Sequence, residues 1–133
     1  MSDNQSQTNK PNGTGIKRLF KATYCSIKGF KAAWKHESAF RQELVLVLVL
    51  FPFSFVIAQS TNHWLVLFFS LIFLLFSELV NSALEALADK VCLEHDELIG
   101  RAKDIGSAIV FLALIFLKLV WIIATLQYFS LIN

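Results

Sequence analysis

The run Trp64–Ala88 (WLVLFFSLIFLLFSELVNSALEALA) is apolar enough and long enough to cross a bilayer, yet it carries Glu78, Asn81 and Glu85. Its length restricts the fold, because a segment in hydrocarbon must satisfy its backbone polar groups internally, which leaves a helix or a closed barrel. At about 100° per residue the three polar residues fall near 0°, 300° and 340°, on one narrow helix face. A carboxylate in hydrocarbon costs roughly 2.5–3.5 kcal/mol on insertion scales, so two on one face point to a metal, a proton or a polar substrate. The alternative is a helix-packing role. Asn81 and Ser82 suit that role well, since Ser82 and Ala86 form a small-xxx-small surface.

The rest of the chain repeats the pattern. Of 133 residues 56% are hydrophobic, which points to a membrane protein and, at this length, to one small domain. Leu44–Ala58 is a first spanning run, short by itself and extended back through Phe40, with Pro52 expected to kink it. A tight polar turn, 59–63, leads to the second span. The third covers Ile105–Leu126, and a charged loop, 89–104, joins it to the second. Expected spans are therefore 40–58, 64–88 and 105–126. The thirteen Phe and three Trp cluster in or beside them, as lipid-facing and interfacial anchors do.

Before the spans, Ile16, Leu19, Phe20, Thr23, Tyr24, Ile27, Phe30 and Trp34 follow a 3.6-residue repeat, opposite Lys17, Arg18, Lys21, Lys28, Lys31 and Lys35. A basic amphipathic helix over 16–36 lying in the membrane interface is expected, the alternative being packing on a soluble partner. Residues 1–15 read as a disordered polar tail without the apolar core of a signal peptide. The membrane domain is thus 16–133. Its expected class is all-α integral membrane, three transmembrane helices plus the interfacial helix. Residues 1–43 hold eight of the twelve Lys and Arg and 89–104 hold three. The positive-inside rule then puts the N-terminus in the cytoplasm and the C-terminus outside. Cys25 and Cys92 fall on the reducing side and lack metal-ligand spacing to each other.

In this orientation Glu78 is the deeper carboxylate, and Glu85 lies about 10 Å nearer the cytoplasm. The separation is too great for the pair to chelate one ion but suits a divided task. Glu85 would hold a cation where a water-soluble ligand arrives, and Glu78 would accept a proton at the depth of a lipid's glycerol. Lys103, Asp104 and Ser107 reach the same cytoplasmic level, where a lysine can neutralise phosphate and an aspartate can place a nucleotide or metal; a basic stop beside the membrane explains them equally well. Glu94, His95, Asp96 and Glu97 form an acidic loop, usually only solvated. Glu37 and Glu43 stand among basic residues, either able to form a weak surface ion pair with Arg41 or Lys35, and His36 is an interfacial side chain. Carboxylates at two depths with a basic cytoplasmic rim suit magnesium-dependent transfer of a phosphoryl group to a lipid hydroxyl. No GxxxxGK[ST], HRD or DFG occurs, so such a kinase lies outside the standard nucleotide folds.

Ala39-Phe40-Arg41-Gln42-Glu43, ELVNSALEALAD (78–89) and ELIGRAKDIGSA (97–108), in this order, closely resemble the prokaryotic diacylglycerol kinase family. The resemblance covers roughly Ile16 to Ser107, and AFRQE favours the Gram-negative type over the undecaprenol kinases of Gram-positive bacteria. It implies an inner-membrane enzyme that uses ATP and Mg²⁺ to phosphorylate diacylglycerol to phosphatidate, as a homotrimer with shared active sites and no nucleic-acid partner. By the same resemblance Glu78 is the catalytic base, and Glu37 and Glu85 hold the divalent ion. Lys103 and Asp104 contact the nucleotide, as do Glu94, His95 and Asp96. Cys25, next to Tyr24, occupies a position that can carry a nucleotide-contacting tyrosine. Arg18 reaches phosphates and lipid. Lys31, Trp34 and Ala39–Glu43 wall the lipid site, Ser107 adds a contact there, and Asn81 positions. Lys118 departs from the expected apolar pattern; it should snorkel outward beside Trp121 and play no catalytic part. The rival activities are a polyprenol kinase and a small proton-coupled transporter. Against transport stand the absence of an inverted repeat and a polar face at the cytoplasmic side. A pure scaffold leaves Glu78 and Glu85 unexplained.

Overall fold

The computed structural model describes residues 15–91 and 96–132. It is all-helical there: α1 is Ile16–His36, α2 Ser38–Ile57, α3 Thr61–Val91 and α4 Glu97–Tyr128. The last three are long and apolar enough to cross a membrane. The chain divides into two compact units, one ending at Ala32 and one beginning at Ala33.

In the first unit, the basic and apolar repeats lie on α1. Ile16, Leu19, Phe20, Tyr24, Ile27 and Phe30 are all exposed. The helix is braced locally: Thr23 and Ser26 hydroxyls donate to the carbonyls of Leu19 and Ala22, and the Lys28 ammonium sits 4.5 Å from the Tyr24 ring centroid.

The second unit is built around α3, which packs most extensively on α4, less on α2, while α2 and α4 touch little. Its core joins Val47 of α2, Leu67, Leu71 and Leu74 of α3, and Ala113, Leu117, Trp121 and Ala124 of α4. The α3 positions recur every three to four residues, the stripe that faces a neighbouring helix. Lipid supplies no hydrophobic drive between helices, so close van der Waals packing and interhelical hydrogen bonds must hold them together. Two tryptophan–serine pairs provide such bonds. Trp64 Nε1 donates to Ser54 Oγ at 3.0 Å, linking α3 to α2, and Trp121 Nε1 donates to Ser70 Oγ at 3.2 Å, linking α4 to α3. Each serine hydroxyl passes its own proton back to its helix, to Phe51 O and Leu67 O.

Trp121 therefore differs from the interfacial anchor expected of it. It is buried, because its ring fills the α3–α4 seam and its N–H finds a partner there. Lys118 is exposed and shares with Trp121, Thr125 and Leu126 the wall of a groove of about 410 Å³.

The connections are shorter than the charge pattern suggests. The polar residues 61–63 already belong to α3: Ser60 Oγ accepts from His63 N, and His63 Nδ1 accepts from Gln59 N, a reciprocal N-terminal cap. The expected charged loop 89–104 is mostly helix as well. Hydropathy marks where a chain leaves lipid, whereas Ala, Leu, Glu and Lys continue a helix into water. α3 runs on to Val91, and α4 begins at Glu97 with Asp96 as its N-cap, Oδ1 accepting from Leu98 N at 2.9 Å and Ile99 N at 3.1 Å.

Candidate active site

The polar face of α3 turns inward. Glu78 is 3% exposed, Asn81 9% and Ser82 8%, while Glu85, one turn closer to the helix end, is half-buried. Ser82 lies one turn beyond Glu78 and its hydroxyl makes only a long 3.5 Å contact with Glu78 Oε1. Among the described residues no cation pairs with Glu78. Asn81 Nδ2 donates to Glu85 Oε1 at 3.0 Å, so one oxygen of Glu85 is engaged within its own helix.

The start of α2 brings further carboxylates to this face. Glu37 is the N-cap residue of α2 but its side chain makes no capping bond. Its charge acts on Glu78, as does that of Glu85, and Glu78 in turn acts on Glu43. Four carboxylates thus share one neighbourhood, beside Phe40, which is 2% exposed at the start of α2. Glu43 departs from the surface ion pair open to it in the sequence. Its Oε2 is buried with no hydrogen-bond partner among the described residues, because residue 43 lies on the inner side of the first turns of α2. Arg41 pairs with neither glutamate; its guanidinium donates to Trp34 O at 2.8 Å and Lys35 O at 3.5 Å, covering the last carbonyls of α1.

The third contribution comes from α4. Lys103 Nζ bonds Asp89 Oδ1 at 3.0 Å across the α3–α4 pair, and it also feels the Glu85 charge. Lys103 and Asp104 therefore stand on the first turns of a helix and not on a loop. Asp104 and Ser107 are exposed, as are Ala39, Gln42 and Trp34. Arg18, Cys25 and Lys31 are exposed residues of α1 in the first unit. Glu94 and His95 lie outside the described residues.

The arrangement suits a hard divalent cation in part. No group of three His, Cys, Asp or Glu among the described residues is close enough to chelate a metal alone. Magnesium does not need one: it takes one or two carboxylates, waters and substrate phosphates. Glu37 and Glu85 are oxygen donors of the right kind, and the repulsion among uncompensated carboxylates is what a cation would relieve.

Reading residues in order did not reveal two participants. Gly106, buried on α4, lies against Asn81. Asp89 holds Lys103. A lone glycine at a span's entry was the only signal for the first, and the pairing of the second needs the register of two helices.

The family model for prokaryotic diacylglycerol kinase matches residues 24–125. The diacylglycerol kinase of Escherichia coli K12 is 40% identical over 119 residues, covering 90% of this chain and 98% of that protein. That of Haemophilus influenzae is 40% identical over 108 residues, 81% of this chain and 92% of its own length. The Pseudomonas aeruginosa diacylglycerol kinase is 42% identical over 108 residues, 81% and 88% of the two chains.

Proposed function

The chain belongs to the prokaryotic diacylglycerol kinase family, and from that premise we propose that it transfers the γ-phosphoryl group of MgATP to the primary hydroxyl of 1,2-diacylglycerol, giving phosphatidate and ADP. The observation that carries this reading is Glu78, a carboxylate buried on a helix long and apolar enough to cross a membrane, in the field of Glu85 and Glu37 and with no cation beside it among the described residues. A base at that depth meets a lipid hydroxyl, while the nucleotide stays in water.

Glu78 accepts the proton of the hydroxyl as the new O–P bond forms and the bond from the γ-phosphorus to the β–γ bridging oxygen breaks. Such a transfer passes through a loose transition state, so positioning and charge compensation supply most of the acceleration. Glu37 and Glu85 would hold Mg²⁺, which would supply charge neutralisation to the transferring phosphate. Lys103 exchanges Asp89 for phosphate, and Asp104, with Arg18, Cys25, Glu94, His95 and Asp96, completes the nucleotide site. Asn81 positions Glu85. Lys31, Trp34 and Ala39–Glu43 line the lipid's approach, with Arg18 and Ser107 at its edge.

The domain is residues 16–133, with α1 lying in the interface; the tail expected over 1–15 lies, but for Gly15, outside the described residues. The enzyme resides in the bacterial inner membrane, N-terminus cytoplasmic and C-terminus periplasmic, as a homotrimer with shared sites. The exposed apolar faces of the three spans leave surface for such packing and for lipid.

The test is turnover of purified protein in mixed micelles with dioleoylglycerol and undecaprenol as parallel acceptors. Magnesium-dependent lipid phosphate from dioleoylglycerol, with little from undecaprenol, supports the reading; the reverse preference makes the protein a polyprenol kinase.

A further inference from the structure

We propose that Gly106 is a positioning residue for the metal-binding carboxylate, acting through Asn81. The inference rests on the reading that Glu85 holds the divalent ion. Gly106 is buried on α4 where it faces α3. A Cβ added there would lie 2.5 Å from Asn81 Oδ1, 3.5 Å from Asn81 Cγ and 3.4 Å from Leu84 Cδ1. All three are side-chain atoms, so glycine is not what lets the two backbones approach. Ala113 and Ala124 line the same seam, fully buried, with their methyl groups in place. What a methyl at 106 would displace is the Asn81 carboxamide.

That carboxamide is held at both ends. Its Nδ2 donates to Glu85 Oε1 at 3.0 Å, and its Oδ1 is buried against Gly106 without a hydrogen-bond partner among the described residues. The amide orientation follows from its neighbours: reversed, the carbonyl oxygen would face a carboxylate and the bond to Glu85 would vanish. Leaving a buried amide oxygen unsatisfied is costly. The arrangement accepts that cost and gains a fixed Glu85, with Oε1 occupied and the other oxygen left to bind. Gly106, Asn81 and Glu85 thus form a stack from α4 to the cation site. Small residues at membrane helix crossings usually serve packing alone; here the group packed on the glycine is the one that bonds the carboxylate.

The experiment compares the wild type, Gly106→Ala, Asn81→Ala, the double variant and Glu85→Gln in micelles. It reads Mn²⁺ binding by electron paramagnetic resonance with a non-hydrolysable ATP analogue, KM and kcat for MgATP, and the unfolding midpoint without ligand. Gly106→Ala should weaken Mn²⁺–nucleotide binding and raise KM about 10-fold, as loss of one hydrogen bond to a charged group does. Its kcat should stay within about 2-fold, since ground-state and transition-state binding fall together. Its unliganded midpoint should fall by no more than the loss of that one hydrogen bond explains. Asn81→Ala should show the same defect, and adding Gly106→Ala to it should cost nothing more, because the new methyl enters space the carboxamide has left. Should Gly106→Ala not fold, the comparison of Asn81→Ala with the double variant carries the test. Wild-type Mn²⁺ binding in Gly106→Ala, or a double variant weaker than Asn81→Ala by the full single-variant factor, would overturn the inference. Undiminished binding in Glu85→Gln would instead overturn the metal reading beneath it.

Discussion

Replacing Glu78 with glutamine should separate stability from activity. The side chain is 3% exposed, without a cationic partner among the described residues, and in the field of Glu85 and Glu37. Seven residues of helix rise put Glu85 about 10 Å away along the axis. At an effective dielectric near 20, unit charges at that distance repel by about 1.7 kcal/mol. Glutamine keeps the shape and removes the charge, so Glu78→Gln should be more stable than the wild type by roughly 1–2 kcal/mol, provided Glu78 is ionised. The same change removes the proton acceptor, and general-base catalysis is worth about 10²–10⁴-fold. We therefore expect a higher unfolding midpoint in micelles, kcat lower by about that factor, and KM for MgATP nearly unchanged. Near-normal turnover would refute the base assignment. Loss of stability together with loss of turnover would refute the view that burial of Glu78 serves chemistry rather than packing.

Two further outcomes follow from single contacts and a third from the metal. Trp121→Phe removes the bond from Nε1 to Ser70 but keeps Ser70 bonded to Leu67 O, so it should cost about 1 kcal/mol in thermal unfolding and leave turnover intact. Asp96→Ala removes the α4 cap; a loss of about 1 kcal/mol with faster amide exchange at Leu98 and Ile99 is expected, and a rise in KM for ATP shows whether the residue also meets the nucleotide. Stripping divalent ions with EDTA should abolish phosphoryl transfer and Mg²⁺ should restore it. Activity that survives chelation would remove Glu37 and Glu85 from a metal role.

Much of this architecture was legible because lipid allows so few solutions. An apolar run of sufficient length must be helical, and Glu78, Asn81 and Glu85 must then share a face, which burial of the first two confirms. Motifs at the water boundary were harder. The polarity of 89–104 suggested a loop, yet the Asp96 cap and the helix-forming residues on either side carry α3 and α4 through most of it. Trp121 looked like an interfacial anchor because nothing local shows that Ser70, fifty-one residues away, offers its indole an acceptor. Glu43 sits among charges in sequence but turns its Oε2 inward, and Gly106 acquires meaning only once Asn81 lies against it. Each miss depends on which helix faces come together. Periodicity supplies a face, not its partner.

The central claim, that this chain moves the γ-phosphoryl group of ATP to a lipid hydroxyl, is tested most directly with ATP carrying oxygen-18 throughout its γ-phosphate. Purified protein, dioleoylglycerol and Mg²⁺ are incubated in micelles and the lipid product is read by mass spectrometry. The account predicts phosphatidate whose non-bridging phosphate oxygens are labelled and whose ester oxygen, from the lipid hydroxyl, is not. Labelled inorganic phosphate with no labelled lipid, from a folded preparation, would contradict it.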